Sequence, residues 1–237
     1  MSNKITCCLC NSTEMTHAHE DMVQCGGCGL YIKEEMQSKS ALKGILQNML
    51  LSACTRPGGP ERRMSKADEQ LQKIEKYVSP GRLFDVGAAS GFVMKAAQER
   101  GWEVEGNDVS IAAVKWAKQN YDLDIHYQFF EDIELESNAY DAVVLWNTLE
   151  HTHDIAQTIA HAKDILKPGG VVHIRIPEKG NLEALQKHYE EYHFYEFKME
   201  ILCDYLKSQG FVEKEIFKNW ETDGVPHTDY LYQLEEK

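Results

Sequence analysis

Residues 83–92 have the sequence Leu83-Phe84-Asp85-Val86-Gly87-Ala88-Ala89-Ser90-Gly91-Phe92. The first four residues predict a strand, the glycines predict a turn, and Phe92 opens a segment with helical spacing. Gly87 removes the Cβ where backbone must approach a ligand, and Gly91 lets the helix begin close to the strand. In an open parallel sheet, the first turn from strand to helix lies where ligands bind.

Strands and helices alternate regularly from this turn onward. Short apolar runs predict strands at residues 83–86, 103–107, 125–129, 142–146, 171–176, 211–217 and 229–234. Segments with helical spacing lie between several of them, at residues 92–100, 111–119 and 155–166. Strands separated by helices specify a parallel sheet that is covered on both faces. No helix separates the last two strands, so they are expected to form an antiparallel hairpin.

The glycine turn does not match the dinucleotide-binding fingerprint. That fingerprint needs glycines two and five residues after Gly87, where this chain has Ala89 and Phe92. The turn therefore does not predict a tight cradle for a pyrophosphate. A nucleoside without phosphates is the expected class of cofactor.

Acidic residues follow the next two predicted strands. Asp108 ends the second strand about twenty residues beyond the glycine turn, where a carboxylate accepts hydrogen bonds from both ribose hydroxyls. After the third strand, Glu131-Asp132-Ile133 offers an acid suited to the exocyclic amine of adenine and an apolar side chain to pack against the ring. These positions predict a site for an adenosine group.

An ordered set of motifs covers residues 81–217. The motifs are Asp85-x-Gly87-x-x-x-Gly91, Asp108, Asp132-Ile133, Tyr140-Asp141-Ala142-Val143-Val144, Leu149-Glu150-His151 and Leu166-Lys167-Pro168-Gly169-Gly170. In this order they resemble the motifs of class I, Rossmann-like methyltransferases that depend on S-adenosylmethionine (SAM). The resemblance implies an α/β fold with a doubly wound, seven-stranded, mostly parallel sheet and an antiparallel last strand, in agreement with the predicted hairpin.

The resemblance also implies which residues bind SAM. They are Asp85, Gly87, Ala88, Gly91, Asp108, Val109, Asp132, Ile133 and Trp146. Gly87 and its neighbours would contact the methionine part, Asp108 the ribose, and Asp132 with Ile133 the adenine. Trp146 would line the pocket near the methionine end. The chain departs from the commonest pattern at residues 88–89, where other members often carry Cys and Gly, but alanine is small enough that binding is expected to survive.

Two histidines are candidates for a catalytic base. Transfer of a methyl group to a hydroxyl or carbon acceptor needs a base, and the pKa of histidine lies near neutrality. His151 follows the fourth strand, and His193 lies in the aromatic run 189–197, which in similar enzymes forms part of the acceptor pocket. The alternatives are that His151 only orders its loop and that His193 only forms hydrogen bonds in an aromatic cluster. His153, beside the predicted N-cap Asp154, is expected to be structural.

Five of the seven cysteines lie within the first 28 residues. Two Cys-x-x-Cys pairs predict a structural zinc ribbon with four thiolate ligands, Cys7, Cys10, Cys25 and Cys28. A redox role is disfavoured because neither pair precedes a helix in a strand–helix–strand unit. Cys8 is a surplus thiol, and His17 and His19 are near enough to substitute as ligands. A ribbon before this kind of domain resembles bacterial enzymes that act on sugars and other small metabolites.

The chain is expected to have three parts, namely a zinc ribbon at 1–32, a helical linker or lid at 33–78 and a methyltransferase domain at 79–237. Residues 30–78 are predicted to be helical, with a loop at 56–60 because two prolines and two glycines interrupt the helix. Closure of this lid would exclude water from the methyl group.

The charge balance restricts the class of partner. The chain has 25 Lys and Arg against 38 Asp and Glu, a formal charge of −13, which disfavours binding to nucleic acid. Only Glu61-Arg62-Arg63 hints at a basic patch. No apolar run is long enough to span a membrane, and the first residues do not resemble a signal peptide, so a cytoplasmic location is expected.

These observations predict a SAM-dependent methyltransferase with a small-molecule acceptor. Oxygen is the favoured acceptor atom, followed by nitrogen or carbon, on a sugar, a carbohydrate precursor or a secondary metabolite. The alternative is that the ribbon is a docking module that directs the methyltransferase domain to a protein or RNA partner. A domain that binds SAM without transferring its methyl group is a third hypothesis. The oligomeric state does not follow from the sequence.

Overall fold

Ten strands and six helices form the described part of the chain. The structure is a computed structural model that describes residues 5–55, 59–177, 192–220 and 226–236. The strands are β1 Met15–His19, β2 Met22–Cys25, β3 Tyr31–Lys33, β4 Arg82–Val86, β5 Glu103–Asn107, β6 Tyr140–Trp146, β7 Leu166–Pro177, β8 Tyr195–Glu196, β9 Phe211–Trp220 and β10 Pro226–Leu234. The helices are α1 Lys39–Thr55, α2 Gly59–Ile74, α3 Phe92–Glu99, α4 Ile111–Tyr121, α5 Ile155–Ile165 and α6 Met199–Ser208. Short 3₁₀ turns occupy Phe130–Asp132 and Leu149–His151.

The main sheet has the strand order β5-β4-β6-β7-β10-β9. The four strands from β5 to β7 are parallel, and β10 is antiparallel to both of its neighbours. This arrangement confirms the predicted doubly wound α/β fold with a reversed last strand.

The predicted strand at 125–129 is reduced to a single bridge. His126 pairs with Asn107 at the edge of the sheet that β5 forms. Beyond His126, the carbonyl of Gln128 accepts a hydrogen bond from the side chain of Asn107 at 3.0 Å instead of joining a ladder. The sheet therefore has six strands among the described residues.

Alternating residues of the strands face two layers of helices. On one face, α2 and α3 cover Leu83, Ala142 and Val144. On the other face, the core contains Phe84 and Val143 together with residues of α5 and α6. Because both faces are covered, β6 and β7 are buried almost continuously, as parallel strands in such folds are.

The stretch predicted to be helical from residue 30 begins instead with a strand. Tyr31 and Ile32 belong to β3, which pairs with β2, and the helix α1 begins only at Lys39. Aromatic and β-branched side chains favour such a strand. The predicted loop lies partly outside the described residues, at 56–58, and Gly59 begins α2. None of the described helices combines the length and the hydropathy that a membrane-spanning helix needs.

A second, smaller sheet contains the cysteine-rich segment. Its order is β1-β2-β3-β8, with antiparallel neighbours throughout. Strand β8 lies much later in the sequence than the other three strands. Cys7, Leu30 and Ile32 share one apolar core with Leu149 and Phe194, so the ribbon packs directly on the larger domain.

Candidate active site and metal centre

A cleft opens at the carboxyl ends of β4, β5 and β6. Strand β4 lies between the other two, and the chain passes to β5 on one side before it returns to β6 on the other. This is the switch point at which doubly wound sheets bind ligands. The cleft has two connected lobes of about 310 and 300 Å³, which we call the Asp108 lobe and the Arg175 lobe after one residue in each. Both lobes are lined by Arg63, Gly87, Ala89, Trp146 and Asn147.

Gly87 allows a close approach of two strand ends. Its φ of 74° lies in the left-handed region, and a Cβ at this position would collide with the side chain of Thr148. The Thr148 hydroxyl donates a hydrogen bond to the carbonyl of Val86 at 3.0 Å. Gly87 therefore permits the contact that joins the ends of β4 and β6 at the floor of the cleft.

Asp108 holds the backbone of the glycine turn. Its carboxylate accepts hydrogen bonds from the amides of Ala89 and Ser110, each at 2.7 Å. The side chain lines the Asp108 lobe although it is buried. Burial raises the pKa of Asp108 against the opposing effect of the amide hydrogen bonds. Each carboxylate oxygen has a second lone pair, so Asp108 can still accept a hydrogen bond from a ligand.

Asp85 lies under the Arg175 lobe. Burial, together with the nearby charge of Asp108, raises the pKa of Asp85 to about 8. Its Oδ2 atom is buried, and no described residue forms a hydrogen bond with it. A buried carboxyl of this kind is an acceptor site for a ligand that brings a cation or a hydrogen-bond donor.

The floor of the cleft fits a ligand rich in donors. Besides Asp85 Oδ2, the buried Oδ1 atom of Asn107 has no hydrogen-bond partner among the described residues. Phe129, Phe130 and Glu131 form a largely apolar wall of the Asp108 lobe. Ammonium and hydroxyl groups would satisfy the acceptors, and a planar ring would pack against the phenylalanines. The residues present therefore fit SAM.

The structure brings six of the nine predicted cofactor residues to the cleft. They are Asp85, Gly87, Ala88, Asp108, Val109 and Trp146. Gly91 does not line it. This residue caps α3 with a φ of 74°, and a Cβ there would meet Leu123.

The predicted adenine pair also lies outside the cleft. Both carboxylate oxygens of Asp132 accept hydrogen bonds from Lys39 of α1, at 2.7 and 2.9 Å, and Ile133 is buried in the core. Glu131 lines the lobe instead, although one of its carboxylate oxygens also pairs with Lys39 at 3.1 Å. The 3₁₀ turn rotates successive side chains by about 120°, so the geometry favours Glu131 over Asp132 as the acid beside the ring.

The two candidate histidines are neighbours, with ring centroids 4.9 Å apart. His151 lines the Asp108 lobe, and its Nδ1 lies 3.0 Å from the carbonyl of Tyr192. A carbonyl only accepts, so Nδ1 carries the proton and Nε2 the lone pair in the neutral ring. His193 is buried behind it, with Nδ1 3.1 Å from Glu196 Oε1. One carboxylate oxygen of Glu150 and one ring nitrogen each of His151 and His193 lie within 4.8 Å of one another.

A group of basic side chains lines the Arg175 lobe, and the sequence indicated only the part of it at Arg62 and Arg63. The group consists of Arg62, Arg63 and Lys66 on α2, Arg175 on β7 and His227 on β10. Arg175 binds Asp229 of β10 through two hydrogen bonds, at 2.7 and 3.0 Å, and lies 5.2 Å from the Trp146 ring centroid. A charged residue inside the apolar run 171–176 was the signal that could have revealed this residue.

The four predicted zinc ligands converge. The sulfurs of Cys7 and Cys28 lie 3.6 Å apart, those of Cys10 and Cys25 lie 3.5 Å apart, and all four lie within 4.8 Å of one another. Tetrahedral Zn²⁺ with bonds of about 2.3 Å separates its sulfur ligands by about 3.8 Å. The donor set and its spacing therefore fit zinc.

The pKa values of the clustered cysteines shift in different directions, since burial raises those of Cys7 and Cys28 whereas that of Cys25 is lowered. Burial acts to raise the pKa of Cys25, but hydrogen bonds from the Cys28 amide and the Cys10 side chain lower it to about 7. Cys8 is not part of the cluster, since its thiol donates to the Tyr195 hydroxyl at 3.8 Å. His17 and His19, the predicted substitutes, are not part of it either.

A family model described as a methyltransferase domain matches residues 61–214. The chain belongs to this methyltransferase family. Among curated proteins, it is 33% identical over 114 residues to a ubiquinone biosynthesis O-methyltransferase of Saccharophagus degradans, with 46% of each chain covered. It is 30% identical over 123 residues to the protein of the same name from Xylella fastidiosa, with 48% of this chain and 50% of that protein covered. The chain thus spans about half the length of the curated relatives it matches.

Solved structures share the fold at low sequence identity. A 1,6-didemethyltoxoflavin-N1-methyltransferase of Burkholderia thailandensis, solved with S-adenosylhomocysteine (SAH), superposes with a TM-score of 0.64 at 14% identity, covering 94% of this chain and all of that one. The [4+2]-cyclase SpnF superposes with a TM-score of 0.60 at 15% identity, covering 72% of this chain and 81% of that one. Because a cyclase shares the fold, the reaction must be argued from the site.

Proposed function

We propose that this chain transfers the methyl group of SAM to an oxygen atom of a small molecule. The observation that carries the proposal is the pair of buried acids, Asp85 and Asp108, beneath a cleft at the switch point of the sheet. Membership of the methyltransferase family and the O-methyltransferase names of the curated relatives support it.

The Asp108 lobe is the proposed site for the adenosine group of SAM. Asp108 and Asn107 would accept hydrogen bonds from the ribose or the adenine amine, with Phe130 and Glu131 beside the ring. Asp85 would face the cationic amino-acid part from below. When bound, SAM supplies a methyl group that its sulfonium already activates. The residues of the chain therefore need only to orient the reactants, exclude water and accept a proton.

His151 is the proposed base. Its Nδ1 hydrogen bond to the Tyr192 carbonyl leaves Nε2 as the basic nitrogen of the neutral ring. In the proposed reaction, Nε2 accepts the proton of the acceptor hydroxyl as the oxygen attacks the methyl group. His193 lies behind His151 and is oriented by Glu196, so it would stabilise the charged ring rather than touch the acceptor.

We further propose that the acceptor carries an acidic group and lies in the Arg175 lobe. Lys66, Arg175 and His227 place basic groups there, in a chain whose formal charge is −13. The carboxylate of SAM can occupy only part of this lobe, and its sulfonium adds a further positive charge nearby. A phosphate or carboxylate group of the acceptor, as in a phosphorylated sugar or a phenolic acid, would be attracted to these basic side chains. Of these two, a phosphorylated sugar belongs to the sugars expected from the sequence.

Titration calorimetry with SAM and SAH tests the cofactor site. Replacing Asp108 by Ala should weaken the affinity for SAH by about 1.5–3 kcal/mol through lost charge-assisted hydrogen bonds. Asp124→Ala is the matched control, because its side chain is 89% exposed. If neither ligand gives heat or a thermal shift with the unaltered protein, the proposed function is wrong.

Formation of SAH from SAM in the presence of candidate acceptors tests the transfer. Phenolic acids and sugar phosphates should be methylated in preference to their uncharged analogues. His151→Gln should lower kcat by roughly 10²–10⁴-fold while the affinity for SAH stays within about twofold. Equal rates for the variant and the unaltered protein would contradict the role of His151.

The two rival functions give different results in the same assays. A chain that binds SAM without transfer would give calorimetric heat but no SAH with any acceptor. A methyltransferase directed to macromolecules would label a protein or RNA fraction and leave the small molecules unmodified.

A further inference from the structure

Strand β8 links the cysteine ribbon to the candidate active site. Although it lies far along the sequence from the ribbon, Tyr195 and Glu196 pair with Ile32 and Tyr31 of β3. The amide of Lys33 donates a further hydrogen bond to the carbonyl of Phe194 at 2.9 Å. The ribbon sheet therefore ends in a strand that the larger domain supplies.

The same segment holds the turn that carries His151. The amide of Phe194 donates to the carbonyl of Glu150 at 2.8 Å, so one residue is bonded to the ribbon on one side and to the turn on the other. The hydroxyl of Tyr195 donates to the carbonyl of His153 at 2.8 Å. Hydrogen bonds from residues 194–195 thus fix the chain on both sides of His151.

Both candidate histidines contact this segment directly. His193 precedes Phe194, and its ring is oriented by Glu196 of β8. His151 Nδ1 lies 3.0 Å from the carbonyl of Tyr192. A shift of β8 would therefore change the position of both rings.

Burial makes this connection stiff. Phe194 and Leu149 are fully buried, and they pack in the same core as Cys7, a ligand of the predicted metal centre. The thiol of the neighbouring Cys8 donates to the Tyr195 hydroxyl. Close-packed interiors transmit displacements because they contain few voids in which a side chain could relax.

We propose that the metal-loaded ribbon positions the histidines of the active site, and that Tyr195 is the main positioning residue. The four cysteines hold β3 in place, β3 holds β8, and β8 holds the backbone around His151 and His193. The ribbon is then part of the catalytic machinery rather than a separate docking module. The proposal rests on the proposed function only for the role of His151 as base, since the mechanical link is independent of any reaction.

The experiment compares hydrogen exchange and histidine NMR signals before and after metal removal. The full chain, loaded with Zn²⁺ and labelled with ¹⁵N at histidine, is measured with and without a chelator. Amides at residues 148–153 and 192–196 should exchange at least about tenfold faster after chelation, while amides in β4 and β5 stay protected. The imidazole signals of His151 and His193, assigned with His→Gln variants, should change in pKa or tautomer. Unchanged signals and exchange at these residues would overturn the proposal.

A variant that retains the metal distinguishes a local effect of Tyr195 from general unfolding. Tyr195→Phe removes the hydrogen bond to the His153 carbonyl and the one from the Cys8 thiol, and it retains the ring. Because Cys8 is not part of the cysteine cluster, zinc content should be unchanged. It should still alter the His151 signal and speed exchange at residues 151–153. Tyr77→Phe is the matched control. It loses a hydrogen bond of similar length, to Glu215, and Tyr77 packs in the cluster that contains residues of α2. If both variants leave the His151 signal unchanged, Tyr195 is not a positioning residue.

The affinity for SAH separates this proposal from the proposed function. Tyr195→Phe should bind SAH within about twofold of the unaltered protein, because Asp85 and Asp108 lie on β4 and beyond β5, away from β8. Binding of SAH together with unchanged histidine signals would refute the positioning role alone. Absence of SAH binding in the unaltered protein would refute the proposed function and leave the mechanical link in place.

Discussion

At the scale of single residues, the cleft depends on backbone angles that few side chains adopt. Three of the five residues that line both lobes have positive φ angles, namely 74° at Gly87, 48° at Ala89 and 53° at Asn147. Residues in this region cluster at binding sites, where surrounding contacts hold them in place. At Ala89 the contact is the hydrogen bond from its amide to Asp108.

Ala89→Gly should stabilise the protein by about 0.5–1 kcal/mol. An L-residue in the left-handed region costs roughly 1–2 kcal/mol, whereas glycine at an ordinary position costs about 0.5–1 kcal/mol in backbone entropy. Urea denaturation measures the change in the free energy of unfolding. Ala88→Gly is the control, because Ala88 does not have a positive φ and should be destabilised by the same change. A loss of stability in Ala89→Gly would contradict the positive φ angle of Ala89.

The raised pKa of Asp85 predicts that binding of SAM depends on pH. In the free protein Asp85 carries a proton below its pKa of about 8. A bound cation favours the ionised carboxyl, so binding should release a proton below pH 8, and affinity should rise as the pH increases toward 8. Calorimetry in buffers of different ionisation enthalpy measures the released proton. The Asp85→Asn variant is the control, because any protons that it releases on binding come from other groups, such as the amine of SAM. Equal proton release by the variant and the unaltered protein would contradict the prediction.

At the scale of elements, ion pairs join the helices that cover the sheet. Arg100, at the end of α3, binds Glu75 and Asp68, which belong to α2 or follow it directly. The indole of Trp102 also donates to Glu75, at 3.0 Å. This network attaches α2, which carries three of the five basic residues of the Arg175 lobe, to the helix that begins at the glycine turn.

Arg100→Met should lower the free energy of unfolding by about 1 kcal/mol. The pairing with two carboxylates is strong, but partial exposure screens it, so the loss should shrink at high salt. Thermal denaturation at low and high salt measures both effects. Lys118→Met is the control, because Lys118 pairs only with exposed acids and its removal should leave the melting temperature unchanged. Equal losses in the two variants would contradict the network.

Most of the main sheet could be predicted from the sequence because its apolar runs are buried on both faces. The predicted strand at 142–146 lies within β6, for example. The strand predicted at 125–129 is reduced to a single bridge, and the Gln128 carbonyl bonds to the side chain of Asn107. Strand β8 has only two residues, too few to show a periodic pattern. The family resemblance points to Asp132, whereas Glu131 lines the cleft, because a 3₁₀ turn changes side-chain direction without any signal in composition.

At the scale of the whole molecule, the ribbon and the larger domain form one packed body. Sequence reasoning placed a boundary at residue 32, where cysteine-rich composition ends. The three-dimensional contacts cross that boundary, since Leu30 and Ile32 pack with Phe194. Long-range packing of this kind cannot be deduced from local composition, whereas the spacing of the four cysteines was enough to predict that their sulfurs converge.

A fragment of residues 34–237 should therefore fail to fold stably. It would lack the partner of β8 and would expose Leu149 and Phe194, which are fully buried in the full chain. Circular dichroism and analytical gel filtration measure the outcome, with the full chain as control. A soluble fragment with the melting temperature of the full chain would contradict this prediction.

The two buried carboxyls beneath the cleft also bear on how a reaction cycle would end. SAM carries one net positive charge, and the demethylated product is neutral overall. Under the proposed function, methyl transfer removes the sulfonium charge above Asp85 and Asp108 and so removes part of the attraction that captured the ligand. SAH would therefore dissociate more readily than SAM. Methyl transfer would itself favour the replacement of SAH by a new molecule of SAM.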